Sequence, residues 1–254
     1  MPSAFPYLDA PLPLAFAHRG GAAGGLENTM TAFSRAVDAG YRYVETDVHA
    51  TADGALVAFH DPTLDRVTDR TGRIALLRLD QVRQARIGAD ERVPLLEDVL
   101  GAWPQLRVNV DVKADRSVEP LIETLRRTAS LDRVCVGSFS DTRLARIRAA
   151  LGPRLATALG PREVLSLRLS SWWRRADGAA PVVPCAQVPV RVGITVVDRR
   201  FVEHAHRSGL QVHVWTIDDP AEMNRLLDLG VDGIMTDRIN VLREVYSARG
   251  LWAA

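Results

Sequence analysis

"LRVNVDVKADRSVEPLIETLRRTASLDRVCVGSFSDTRLARIRAAL", residues 106–151, contains one pattern twice. "LRVNVDVK" is a short run dominated by valine and reads as a strand. "VEPLIETLRRTA" spaces its apolar residues as a helix does. "RVCVGSF" then reads as a second strand and "DTRLARIRAAL" as a second helix. Strand, helix, strand, helix is the beat of a parallel sheet with helical crossovers. Toward the N-terminus, "PLAFA" (13–17) reads as a buried strand and "NTMTAFSRAVDAG" (28–40) as a helix. Asn28 or Thr29 stands at its N-cap and Gly40 beyond its end. "YRYVETDVHA" (41–50) is a strand, and "GALVAFHD" (54–61) follows it after the turn "ADG". Residues 62–105 are less regular, with turn signals at "TDRTGR" and "GADERVP", and read as a small insertion carrying a helix at "LEDVLGAW". Toward the C-terminus the beat continues through "RLATAL", "REVLSLRLSSWW", "PCAQVP", a helix near 199–208, "LQVHVWTI", "PAEMNRLLDLG", "VDGIMTD" and a closing helix at 240–248. About eight such units in 254 residues, with no repeated motif and no linker, predict a single (β/α)8 TIM-type barrel domain over 1–254, with the insertion after the His60-Asp61 strand. An open doubly wound sheet is the alternative. The first strand, however, does not run into a dinucleotide-type glycine fingerprint.

Composition narrows the function. Net charge is +1, so no global field recruits nucleic acid or an anionic membrane. No run of about 18 apolar residues occurs, and the N-terminus lacks the features of a signal peptide, so a cytoplasmic location is the default expectation. Cys135 and Cys185 have no metal-like spacing; a reduced compartment is the simplest reading, and a single disulfide between them is the alternative. Of the 32 basic residues, 31 are Arg and one, Lys113, is Lys. A compact ammonium and a planar guanidinium are not interchangeable where geometry is tight.

In a (β/α)8 barrel the catalytic groups gather at the C-terminal ends of the strands. His18 and Arg19 end the first strand, and His60 and Asp61 end the "GALVAFHD" run. Ser138, Gln187, Trp215, Thr236 and Asp237 end later strands. Residues two apart on a strand share a face, so Glu45 pairs with Asp47, and Asp111 with Lys113. Three inward carboxylates exceed the two nearby cations, Arg19 and Lys113, and unpaired burial is costly. One hard divalent ion, Mg²⁺ or Ca²⁺, with Glu45, Asp47 and Asp111 as ligands, meets that deficit. The bland alternative is a partly solvated charge network. Two histidines beside such a site can carry protons near neutral pH. A cation with Arg19 and Lys113 suits a phosphoryl group.

These residues carry a resemblance. "HRG" with "ENT" (18–20, 27–29), "ETDV" (45–48), "FHD" (59–61), "DVK" (111–113), "VWTI" (214–217) and "GVDGIMTD" (230–237) are similar to the motifs of the glycerophosphodiester phosphodiesterase family, over nearly the whole chain. The resemblance implies metal-dependent hydrolysis of a glycerophosphodiester to an alcohol and glycerol 3-phosphate. It implies Glu45, Asp47 and Asp111 as metal ligands, His18 and His60 as the catalytic pair, and Arg19 and Lys113 on the phosphate. Trp215 becomes an apolar substrate wall, and Glu27 a support for Arg19 or the metal shell, with loop architecture its other reading. Four positions depart from the family pattern: Leu26 stands for Pro, Asp111 for Glu, Asp218 for Asn, and Ile239 for Pro.

Two other activities fit the same residues. A lysophospholipase D cleaves the same bond in a lysolipid, with apolar groups near Trp215 and Trp172 holding the acyl chain. A non-catalytic phosphate-ligand-binding barrel belongs to a different class, and paired proton carriers argue against it. "SLRLSSWWRRADG" (166–178) is either a segment in transient contact with a membrane surface or, more economically, a helix packing its tryptophans on the barrel. The expected partner is a small-molecule glycerophosphodiester. The oligomeric state is not legible in the sequence.

Overall fold

The structure is a computed structural model that describes residues 5–173 and 183–252. Its elements in chain order are β1 (Leu14–Ala17), α1 (Met30–Asp38), β2 (Tyr43–Ala50), β3 (Leu56–Ala58), α2 (Leu79–Val82), α3 (Leu96–Ala102), β4 (Arg107–Val112), α4 (Val118–Arg127), β5 (Val134–Gly137), α5 (Asp141–Leu151), β6 (Ala156–Thr157), α6 (Pro161–Trp173), β7 (Cys185–Pro189), β8 (Arg191–Val192), β9 (Ile194–Thr195), α7 (Arg199–Arg207), β10 (Gln211–Trp215), α8 (Pro220–Leu229), β11 (Gly233–Thr236) and α9 (Ile239–Ala248). Eight strands pair in parallel in the order β6-β5-β4-β2-β1-β11-β10-β7. A single parallel bridge, Ala158 to Cys185, joins the two ends, and Leu159 N donates to Cys185 O across it at 2.9 Å. The result is the expected (β/α)8 barrel.

Alternation along the strands builds two cores. Val44 and Val48 of β2 and Val108, Val110 and Val112 of β4 are fully buried in the layer between barrel and helices. α4 meets that layer with Val118, Leu121, Ile122 and Leu125, the spacing of one helical face. Each such side chain contributes about 1.5–3 kcal/mol by leaving water. Intervening residues point into the barrel. Its floor holds Phe16, Tyr43, Cys135, Cys185 and Met235, plugged from below by Tyr7 and Leu8. Tyr43 Oη donates to Tyr7 O at 2.7 Å and fixes that plug. Cys135 and Cys185 are free, buried thiols.

The structure corrects one expectation and decides between two alternatives left open. The helix of "LEDVLGAW" is not part of the insertion: Leu96, Val99 and Leu100 of α3 pack in the barrel–helix layer, making α3 the helix that follows β2. The insertion proper, between β3 and α3, has its own small core of Phe59, Leu64, Ile74, Val82, Ile87 and Val93. Thr29, rather than Asn28, caps α1, its side chain accepting from Ala32 N at 3.1 Å. Asn28 has φ +57°, a conformation asparagine tolerates better than most residues, and this turns its side chain into the barrel mouth. The short hairpin β8–β9 was not evident from the sequence.

Candidate active site

The chain turns sharply where β1 ends. Arg19 has φ +50° and Gly20 φ +80°. A Cβ on Gly20 would come within 2.9 Å of the Ala32 Cβ and 3.0 Å of the α1 backbone. The turn therefore lies flat on α1, and only glycine fits its underside. His18 and Arg19 are left at the barrel mouth. Backbone strain of this kind is found where a functional geometry is over-determined by its surroundings.

β2 and β4 are in register Glu45↔Asn109 and Asp47↔Asp111, which sets the acidic side chains side by side. Lys113 Nζ bridges Asp47 Oδ1 at 2.8 Å and Asp111 Oδ2 at 2.6 Å. Arg19 Nε lies 3.2 Å from Asp47 Oδ2, and Arg19 N donates to Glu45 Oε2 at 3.1 Å. Asn28 Nδ2 donates to Asp47 Oδ2 at 3.2 Å and its Oδ1 accepts from Thr46 Oγ1 at 2.7 Å. Burial works to raise the Asp47 pKa, but Lys113 and Arg19 outweigh it and hold the carboxyl below its ordinary value. Asp111 ends above its ordinary value because burial outweighs Lys113. Glu45 is raised as well, by burial and then by the carboxylate of Asp47. Burial opposes protonated Lys113, but Asp111 and Asp47 carry its pKa above the usual lysine value.

The histidines are built alike. His18 Nδ1 lies 2.6 Å from Asp237 Oδ1 and His60 Nδ1 2.5 Å from Asp61 Oδ1. A carboxylate can only accept, so each Nδ1 donates and Nε2 is the nitrogen left for chemistry. His18 Nε2 is 3.7 Å from Glu45 Oε2. Burial lowers the His18 pKa, but Glu45 and Asp237 more than compensate and it lies above the ordinary histidine value. Asp61 is driven down to about 2 by its hydrogen bonds to Arg66, against burial, with His60 adding to the effect.

All eight of His18, Arg19, Glu45, Asp47, His60, Asp111, Lys113 and Trp215 line one cavity of about 550 Å³. Its remaining wall is largely apolar, with Phe139, Leu165, Val192 and Ile194. Trp215 meets Phe139 edge-on, ring centroids 5.8 Å apart. Glu27 does not line the cavity; its Oε1 accepts from Arg19 Nη1 at 3.1 Å, which supports the Arg19 reading of that residue. Ser138 and Gln187 also line the cavity. Their side chains are engaged with Val112 O and Asn109 Oδ1, each at 2.9 Å.

The carboxylates share the pocket without converging: among the described residues no three His, Cys, Asp or Glu side chains form a ready-made metal cluster. Trp172 is 46% exposed, with the Arg168 guanidinium 4.8 Å from its ring centroid. Residues 174–178 of that stretch lie outside the described residues.

Sequence reasoning assigned no role to Asp237, Asp218 or Arg66. Asp218 Oδ1 accepts from Thr236 Oγ1 at 2.8 Å and Asp237 N at 2.9 Å, and so seats the partner of His18. Arg66 sits in the insertion and reaches both Glu27 and Asp61. The Asp next to His60 was a local signal for a carboxylate-oriented histidine. Nothing in the spacing tied His18 to Asp237, 219 positions away.

A parallel (β/α)8 barrel whose C-terminal mouth sets two carboxylate-held histidines beside Arg, Lys and buried acids has the groups to bind an anion and to carry protons. Comparison with known proteins makes the assignment specific. The model of the "Glycerophosphoryl diester phosphodiesterase family" matches residues 18–241. The chain belongs to that family, and with it to the phosphoric diester hydrolases. It is 40% identical over 249 residues to the "Probable glycerophosphodiester phosphodiesterase 2" of Mycobacterium tuberculosis, covering 94% of this chain and 92% of that one. It is 29% identical over 264 residues to a lysophospholipase D of Rattus norvegicus, covering 89% and 84%. Among solved structures, a putative glycerophosphoryl diester phosphodiesterase from Silicibacter pomeroyi superposes with a TM-score of 0.81 at 22% identity, covering 98% and 100%. An Oleispira antarctica phosphodiesterase, in complex with its product sn-glycerol-3-phosphate, gives 0.78 at 23%, covering 93% and 97%. These two structures share the fold.

Proposed function

We propose that the protein hydrolyses glycerophosphodiesters to an alcohol and glycerol 3-phosphate, using His18 and His60 as proton carriers and one divalent ion, Mg²⁺ or Ca²⁺. The observation that carries the reading is the pair of histidines, each with Nδ1 tied to a carboxylate and both lining the cavity that holds Arg19 and Lys113. Each carboxylate fixes the orientation and tautomer of its ring and leaves Nε2 free to take up and give back a proton. Cleavage needs a base for the nucleophile and an acid for the departing alkoxide, so the roles divide between the two rings. Arg19 and Lys113 offer charge to the non-bridging oxygens. Trp215 walls the glycerol side.

The residues fit a hard cation. Asp111 Oδ1 is buried with no hydrogen-bond partner, and an orphaned carboxylate oxygen of this kind calls for a ligand. Glu45, Asp47 and Asp111 would hold the ion, which when bound supplies charge stabilisation to the phosphoryl group. Their oxygen-only donor set favours Mg²⁺ or Ca²⁺ over zinc. The direct test is turnover of glycerophosphocholine with and without chelator, followed by repletion with Mg²⁺, Ca²⁺ or Mn²⁺. Turnover that chelator leaves untouched sinks the metal reading; absence of turnover on any glycerophosphodiester sinks the activity.

A second reading is lysophospholipase D activity. The apolar side of the cavity favours it: Leu165, Val192 and Ile194, all more than half exposed, extend the wall beyond Trp215 to the rim, where an acyl chain could lie. Preference for lysophosphatidylcholine over glycerophosphocholine in kcat/KM, abolished by Ile194→Ser, supports it. Equal or lower activity on the lysolipid rejects it.

A further inference from the structure

We propose that Arg66, an insertion residue outside the cavity, is the positioning residue that sets both a proton carrier and a phosphate-binding arginine through two carboxylates. Nη1 and Nη2 donate to the two oxygens of Glu27 at 2.9 and 2.6 Å. Nε and Nη2 donate to the two oxygens of Asp61 at 2.6 and 3.1 Å. One guanidinium thus closes two two-point contacts, a geometry the planar fork of arginine provides and an ammonium does not. Glu27 passes the constraint to Arg19 at 3.1 Å. Asp61 passes it to His60 Nδ1 at 2.5 Å.

The receiving carboxylates are shielded: side-chain exposure is 13% for Glu27 and 20% for Asp61, against 47% for Arg66 itself. The contacts are therefore screened less than an ordinary surface pair. Glu27 and Asp61 both lie below the ordinary carboxyl range, with Arg66 foremost among the favourable causes. The segment bearing Arg66 is itself anchored. Leu64 is buried in the insertion core, its N–H donates to Gly72 O at 3.0 Å, and Thr68 Oγ1 donates to Leu64 O at 2.8 Å. The insertion thereby carries the cation that aligns two groups of the barrel mouth from behind. In a chain with 31 arginines the residue type alone says nothing, and the four hydrogen bonds make the case.

The inference rests on the roles proposed for His60 and Arg19, and the experiment separates the two levels. Steady-state kinetics on glycerophosphocholine are compared for Arg66→Met, Arg66→Lys, Glu27→Gln, Asp61→Asn and the double variant Arg66→Met/Asp61→Asn. Circular dichroism and thermal midpoint establish folding for each. A small misplacement of a reacting group can cost on the order of 10²-fold, and losses toward that size are expected. Asp61→Asn should lower kcat, Glu27→Gln should raise KM, and Arg66→Met should do both. The double variant should lose little more kcat than Arg66→Met alone, because both changes cut one chain of contacts. Arg66→Lys should recover only part of the loss. Additive losses in the double variant, full recovery with lysine, or wild-type kinetics for folded Arg66→Met overturn the positioning role. Wild-type kinetics for His60→Ala and Arg19→Ala would instead overturn the underlying active-site reading.

Discussion

Lys113 holds two carboxylates from one point charge, with one contact to each. A planar guanidinium cannot take that place without moving Asp47 or Asp111. Lys113→Arg is expected to lower turnover with the fold intact; wild-type turnover would mean the lone lysine is an accident of composition. Asp111→Ala should lose most of the activity, and Asp111→Glu, the residue usual in the family, should keep it. His18→Ala and His60→Ala should each lower kcat by about 10²–10⁴-fold. A substrate with a low-pKa leaving group should rescue whichever variant lacks the acid and leave the other impaired. If it rescues neither, and both variants have only lost affinity, the rings position phosphate rather than move protons. Much of this site was legible because a strand repeats every two residues: Glu45 with Asp47 and Asp111 with Lys113 had to share faces. Asn28 was not legible. Its side chain direction depends on a left-handed backbone, and cap composition alone made it a competitor of Thr29.

At the scale of elements, valine-rich strands and well-spaced helices announced the barrel, whereas residues between β3 and α3 have no period to read. Their core is assembled from scattered residues such as Leu64, Ile74 and Ile87, joined by turns and by helical pieces as short as the four-residue α2. The same irregularity concealed where the insertion ends, so α3, a helix of seven residues legible in the sequence, read as part of it. Its packing gives a test. Leu100 is fully buried in the barrel–helix layer, so Leu100→Ala should cost about 2–5 kcal/mol, read from urea unfolding as a shift of the main transition. A loss confined to a separate early transition would return α3 to the insertion.

For the whole molecule, Arg66 ties the insertion to the barrel by charge, and acid should loosen that tie. The folded pKa of Asp61 is depressed from 3.8 to about 2. Its contribution to stability is therefore complete above 3.8 and is lost as pH falls toward 2. Glu27, lowered from 4.5, acts in the same direction and begins at a higher pH. The thermal midpoint of the wild type should fall more steeply than that of Arg66→Met between about pH 4.5 and 2; parallel curves would show that the contacts add no stability. The closure of the barrel was legible only as a count of units, since the two-residue β6 and its single bridge to β7 have no sequence signature. The mouth is also divided along the chain. Charged groups of the cavity run from His18 to Lys113, and the apolar wall from Phe139 to Trp215, with buried Arg168 as its cation. On the proposed function, the reacting groups and the wall for the glycerol side of the substrate thus lie on separate lengths of polypeptide. A chimera crossing between α4 and β5, with the later half of a relative that keeps Asp at position 237, should retain the proton-transfer machinery and acquire the relative's preference between acylated and deacylated substrates, read as the kcat/KM ratio of lysophosphatidylcholine to glycerophosphocholine. Recombination within the family can in this way change what is cleaved while the bond that breaks stays the same.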